Sequence, residues 1–212
     1  MLFRSLYCYP ERITDELIDV IAKEPKIVKY LDIPIQHCNA EVLKNMRRKC
    51  DADMLRTLFA KLRSRIPGIT LRTTLLVGFP GETNAQFDEL AEFIQEMRFD
   101  RMGCFAYSQE EDTPAEKLGD TVSEEEKERR VSELMAVQEQ ISLAKNQARI
   151  GHNYRVLIDR LEGDNYIART EYDSPDIDNE VLIPNDTPLK IGEFYQVRIT
   201  QALEHDLIAQ LV

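Results

Sequence analysis

The residues best suited to chemistry lie together in Arg72-Thr73-Thr74-Leu75-Leu76-Val77-Gly78-Phe79-Pro80-Gly81-Glu82-Thr83. An apolar, β-rich run leads into a Gly-x-x-Gly turn, and Thr83 with Gln86 three residues on makes a capping box for a following helix. This layout predicts bare backbone N–H groups and a helix N-terminus at the C-terminal edge of a parallel sheet, the edge where α/β folds bind ligands. Such groups hold a carboxylate or a ribose, and glycine lets a ligand approach the main chain. An ordinary strand-to-helix turn needs the same glycines for positive φ, so the pattern alone leaves both readings open.

Ile33-Pro34-Ile35-Gln36-His37 ends the preceding strand on the same edge, with Pro34 stopping the ladder and Gln36 and His37 offering donors and acceptors beyond it. A lone loop histidine is otherwise a surface residue. Tyr107 and Ser108 end the next strand in the same layer.

The elements that must position these residues follow a strand-then-helix rhythm. Residues 2–8, 27–35, 70–77 and 101–107 read as strands. Helices between them are signalled by Thr14 as a cap, by a stretch from Ala40 broken near Cys50 and Asp51, and by Phe87, Leu90, Ile94 and Met97 on one face. Four strands with three helical crossovers predict a partial, half TIM-like α/β barrel of parallel strands. Its first strand begins at residue 2 and would leave an unpaired edge, so the architecture is expected to continue upstream. Ser123 with Glu126 makes a second capping box, opening a long helix to about Arg149. After Gly151 the period changes to two: YRVLI, YIARTEY, EVLI, FYQVRI and LIAQL predict a small closed β-barrel with a hairpin at Gly163-Asp164. The expected domains are 1–122, a linking helix 123–150, and the barrel 151–212.

The 212 residues carry 27 basic and 38 acidic side chains, net −11. Residues 151–212 hold 5 basic and 12 acidic residues, so −7 falls on the small barrel. That charge opposes RNA and favours a basic protein partner. No apolar run approaches the ~20 residues of a membrane span. Cys8, Cys38, Cys50 and Cys104 are too widely spaced for a metal knuckle or a disulfide scaffold, which points to a reducing, cytoplasmic setting and buried filler thiols.

YCYPERITDELI, KYLDIPIQH, VLKNMRRK, LRTTLLVGFPGET, FDRMGCFAYSQEEDTPA and EEEKERRVSELMAVQ together resemble the radical S-adenosylmethionine methylthiotransferases, and RTEYDSPDIDNEVLI resembles their TRAM domain. The resemblance implies a half-barrel of the radical SAM fold followed by an OB-like TRAM barrel. It also implies S-adenosylmethionine and two 4Fe–4S clusters as the family's cofactors. Gln36-His37 is similar to the branch that modifies an aspartate of the twelfth small-subunit ribosomal protein, and the acidic barrel agrees with it. The transfer-RNA-modifying branch and a non-catalytic protein-binding fragment are the alternatives. The Gly78, Phe79, Pro80, Gly81 and Glu82 turn matches the family's cofactor turn. Gln36, His37, Arg72, Thr73 and Tyr107 are the expected polar neighbours, with Arg72 open to a structural ion pair instead. Asp173, Asp176, Asp178 and Glu180 are the expected docking residues for a basic ribosomal protein. The family's cluster-binding cysteine motifs have no counterpart here, so no catalytic or metal-ligating residue is expected in this chain. It is expected to be inactive without an N-terminal part of the same enzyme.

Overall fold

The structure, a computed structural model, describes residues 2–212 and divides into two compact units between Gln138 and Glu139. In the first unit, β1 (Phe3–Ser5), β2 (Ile27–Asp32), β3 (Thr70–Val77) and β4 (Arg101–Ala106) form a parallel sheet in that order. Helices α1 (Asp15–Lys23), α2 (Ala40–Asn45), α3 (Ala52–Arg65) and α4 (Asn84–Met97) connect them.

Each helix starts at a side-chain cap. The acceptor is Thr14 for α1, Asn39 for α2, Asp51 for α3 and Thr83 for α4, where Gln86 completes the reciprocal box. The fifth helix, α5 (Glu124–Gln147), uses Ser123 Oγ as acceptor for the Glu126 N–H. The expected return bond from Glu126 is replaced, because its carboxylate is drawn to Arg129 and Arg130 instead.

The predicted first strand is shorter than expected. Tyr7 turns into the left-handed region at φ 57°, where its N–H donates to Asp32 Oδ2 at 3.1 Å, while Cys8 N–H reaches Asp32 O. Past Pro34 the chain rejoins the sheet for one residue, with Gln36 N–H donating to Thr74 O and Gln36 O accepting from Leu76 N–H. Phe59 and Phe99 meet edge to face at 4.9 Å in the core between helices and sheet.

In the second unit, β5 (Asn153–Glu162), β6 (Asn165–Thr170), β7 (Val181–Pro184), β8 (Phe194–Ala202) and β9 (Leu207–Leu211) close into a barrel of order β5-β6-β7-β9-β8. Only β7 and β9 run parallel. Inward side chains alternate along each strand, with Val156, Ile158, Ala168, Ile183, Val197 and Ile199 filling the interior. The Gly163-Asp164 hairpin forms as predicted, Gly163 supplying φ 57°.

Candidate functional site at the C-terminal edge of the sheet

Strand β3 sorts its residues by parity. Arg72, Thr74 and Leu76 share the half-buried face, while Leu71, Thr73, Leu75 and Val77 are buried on the opposite, helix-covered face. Arg72 Nη1 lies 3.0 Å from Asp32 Oδ1 and within 3.4 Å of Thr74 Oγ1, so the ion-pair alternative is the one observed. Thr73 is a correction: fully buried, it donates to Ile33 O at 2.9 Å and accepts from Ile35 N–H, which commits it to the sheet. Thr74, one residue on, is the threonine on the open face.

The glycine turn also differs from expectation. Glu82 folds back beneath it, and its Oε2 accepts the Gly78 N–H at 2.5 Å and the Phe79 N–H at 3.1 Å. Gly81 N–H donates to Thr121 Oγ1 at 2.8 Å. These amides are therefore held within the protein and are not bare donors for a ligand. Glu82 is a buried clamp rather than a ligand contact.

Two cations from α5 complete the clamp. Arg130, almost fully buried, places Nη1 3.0 Å from Glu82 Oε1 and donates to Asn84 Oδ1 at 2.8 Å. Lys127 is fully buried, pairs with Asp120 and Glu124, and lays its stem against Gly78, where a Cβ would overlap Lys127 Cγ. Gly78, at φ 74°, is thus required both for backbone conformation and for close approach.

His37 is fully buried rather than on the surface. Its Nδ1 accepts from Cys38 N–H at 3.0 Å and Asn39 N–H at 2.9 Å, and Nε2 lies 3.9 Å from Glu82 Oε1. Phe79 and Tyr107 meet edge to face at 5.3 Å, and Lys127 Nζ lies 5.5 Å from the Tyr107 ring. Burial pushes the Tyr107 hydroxyl pKa upward. Pro80 is buried and Gly81 exposed. Of the expected cofactor residues, Gln36 and Phe79 line one open cavity, Arg72 stands beside the Thr74 wall of a second, and the others, apart from exposed Gly81, are buried.

The first cavity has a volume of about 270 Å³ and is lined by Gln36, Met46, Arg47, Leu76, Phe79 and Ala115 among others. A second, of about 180 Å³, lies against Tyr7, Tyr9, Pro34 and Thr74 and shares Gln36 and Arg48 with the first. Two adjoining apolar-walled cavities with a few polar groups have the size and lining of a small-molecule site. Sequence reasoning missed Asp32, Thr74, Arg47, Arg48, Lys127 and Arg130. Strand parity was the available signal for Thr74. The α5 cations carried none, because the turn they brace, Gly78 under Lys127 and Glu82 beside Arg130, lies nearly 50 residues earlier in the chain.

The four thiols are separate. Cys38 and Cys104 are pushed up to about 12 by burial, and Cys8 and Cys50 are raised for the same reason. Among the described residues no three His, Cys, Asp or Glu side chains are grouped to hold a metal.

On the barrel, the acidic set separates. Asp173 is a correction: it is fully buried, its Oδ2 accepting the Thr170 hydroxyl at 2.5 Å, with Arg149 3.9 Å away. Asp178 accepts the Ser174 N–H at 2.8 Å and Glu180 pairs with Arg160 at 2.9 Å, both half-buried. Asp176 is exposed at φ 66°. A polar cleft of about 240 Å³ includes Asp159, Asp176, Asp178 and Glu180.

Residues 4–94 match the radical SAM superfamily and residues 150–212 match the TRAM domain. The chain thus matches the class of radical SAM proteins that carry a TRAM domain. Within that class it is similar to the ribosomal protein uS12 methylthiotransferase RimO of Chloroherpeton thalassium, 52% identical over 99% of this chain and 49% of the relative. RimO of Cytophaga hutchinsonii is 45% identical over 99% and 48%. The chain spans about half the length of these curated relatives. Among solved structures, coproporphyrinogen III oxidase (HemN) of Escherichia coli shares the fold, with a TM-score of 0.56 at 18% identity over 79% of this chain and 46% of that one. Among the described residues no helix is long and apolar enough to cross a membrane.

Proposed function

We propose that this chain carries the substrate-docking barrel and part of the S-adenosylmethionine site of a methylthiotransferase that modifies an aspartate of a basic small-subunit ribosomal protein in the cytoplasm. The observation that carries the reading is its resemblance to RimO along nearly its whole length, with 52% identity in the first relative above. The charge of −7 on residues 151–212 supports a basic protein partner over RNA, because neutralising phosphates requires cations.

The paired cavities fit an adenosyl-sized ligand, and Gln36, Thr74 and Arg72 are the polar groups that would orient it. Bound there, S-adenosylmethionine supplies the methyl group and the radical hydrogen abstraction. Gln36 offers an amide donor and acceptor from a strained backbone position that the β3 ladder holds in place. Asp32 keeps the Arg72 guanidinium fixed on the open face. Phe79 and Leu76 exclude water from one wall. Glu82, clamped by Arg130, fixes the turn that carries Phe79.

A 4Fe–4S cluster does not fit the described residues, since the four thiols are dispersed and their pKa values raised rather than lowered. We assign both clusters of the family to an N-terminal part, which relatives twice as long support. The domain division at 122 and 150 remains our proposal for where its functional parts separate. Anaerobic iron–sulfide reconstitution tests the assignment. These 212 residues alone should give no stoichiometric cluster absorption and no S-adenosylmethionine cleavage, and co-expression with a RimO N-terminal half should restore both. A cluster in the chain alone would contradict it.

A further inference from the structure

Arg47 occupies a position where helix chemistry calls for glycine. At the end of α2, Arg47 N–H donates to Lys44 O at 3.0 Å and Arg48 N–H to Leu43 O at 2.8 Å, closing the chain as a Schellman turn with Arg47 at φ 58°. Glycine, sometimes asparagine, is the residue that takes this left-handed position without strain. Six non-glycine residues among those described have positive φ, and three of them, Tyr7, Gln36 and Arg47, line the two adjoining cavities. Strain gathered at one cleft is a mark of function.

The side chain is as unusual as the backbone. Arg48, its neighbour, is committed to Pro34 O at 3.1 Å and to the Tyr9 ring. The Arg47 side chain is exposed and, among the described residues, makes no hydrogen bond, ion pair or ring contact. It lines the 270 Å³ cavity together with Gln36, Asn45 and Phe79. A guanidinium at an apolar-walled mouth, beside two side-chain amides, is suited to a planar carboxylate that it binds with two parallel N–H donors. A polyanion is disfavoured because residues 1–150 carry 22 basic and 26 acidic side chains.

We propose that Arg47 is a specificity residue that recognises a carboxylate entering this cavity, and that the strain at its backbone is retained for that contact. The inference deepens the reading above, on which it rests for the choice of ligand. Two sources share the chemistry: an acidic side chain of a protein substrate and the amino-acid end of S-adenosylmethionine.

The test follows the Arg47 Nε–H resonance of the 15N-labelled chain, assigned by its loss in Arg47→Gly. Three ligands are titrated: a basic peptide with one central aspartate, the same peptide with asparagine, and S-adenosylmethionine. The Arg47 signal should move with a carboxylate ligand. The aspartate peptide binding roughly tenfold more tightly than its asparagine twin would name the substrate as source. S-adenosylmethionine alone moving the signal would name the cofactor, supporting Arg47 while counting against the docking reading. Arg47→Gly and Arg47→Asn should both raise the melting temperature, by about 2–4 °C, while weakening carboxylate binding about tenfold. Arg47→Lys should recover part of the affinity. A signal that moves with none of the three ligands, one that moves more strongly with inorganic phosphate, or glycine and asparagine variants that melt lower would overturn the proposal.

Discussion

In the barrel unit every strand has two neighbours, whereas in the sheet unit β1 is a three-residue edge beside exposed Phe3, Leu6, Tyr7 and Tyr9. The barrel keeps its aliphatic interior sealed and its acidic groups largely outside, with Asp173 the buried exception. The sheet reverses this emphasis: Asp32, His37, Glu82, Lys127 and Arg130 are all buried around one turn and one cavity mouth. Three of its residues also hold strained backbone at the paired cavities. Closure makes a barrel self-sufficient and leaves its surface charge for recognition. An open parallel sheet must instead fix a site from distant segments, and the buried polar clamp is the means.

Glycine substitution should expose the difference most strongly. Gly78→Ala introduces strain at φ 74° and a clash with Lys127, and should cost about 3 kcal/mol in chemical denaturation. Gly163→Ala, at the barrel hairpin with open space around it, should cost only about 1 kcal/mol. Equal losses would remove the distinction.

The charge pairs should divide the same way. Glu82→Gln leaves Arg130 buried opposite a neutral amide and should cost about 2–3 kcal/mol, with faster exchange of the Gly78 and Phe79 amides as a local signature. Glu180→Gln, whose partner Arg160 is exposed to solvent, should cost less than about 1 kcal/mol.

Acid titration offers a third comparison. Hydrogen bonds from Arg129 and then Arg130 hold Glu126 at about 2, below its ordinary 4.5. A depressed folded-state value stabilises above the unfolded value and loses that contribution as pH falls. Wild type should therefore exceed Glu126→Gln in stability at neutral pH, and the gap should close between 4.5 and about 2. A gap constant across that range would show that the pair is not formed in solution.

The smallest effect is expected at Asp176. Asp176→Asn should leave stability within ~0.5 kcal/mol, since the residue is exposed, and should weaken a basic partner modestly at low salt. Asp173→Asn, by contrast, should be read in melting temperature, because its carboxylate holds Thr170 inside the fold.

Much of the fold was legible because its signals are local. Thr14 and the Thr83–Gln86 box mark helix starts from a few adjacent residues, and the period-two runs after Gly151 mark the barrel. The site was only partly legible. Gly78 and Gln36 stand out by type and position, but residue type alone does not separate Thr73 from Thr74, and only strand alternation favours Thr74. Glu82 reads as a ligand contact in the sequence because nothing local shows that it turns back on the Gly78 amide, or that Arg130 waits 48 residues on. Asp173 looked like one more surface acid in an acidic loop, since its burial depends on how the loop folds over Thr170.

We propose that the acidic TRAM barrel directs this chain to a basic ribosomal protein. Equilibrium binding of the 212-residue chain to purified uS12 and to transfer RNA, each over a range of salt, tests it directly. Binding to uS12 should be detectable and weaken with salt and with Asp176→Asn, and binding to transfer RNA should be negligible. Tighter binding to transfer RNA, with affinity falling steeply and linearly on a log–log salt plot, would contradict it.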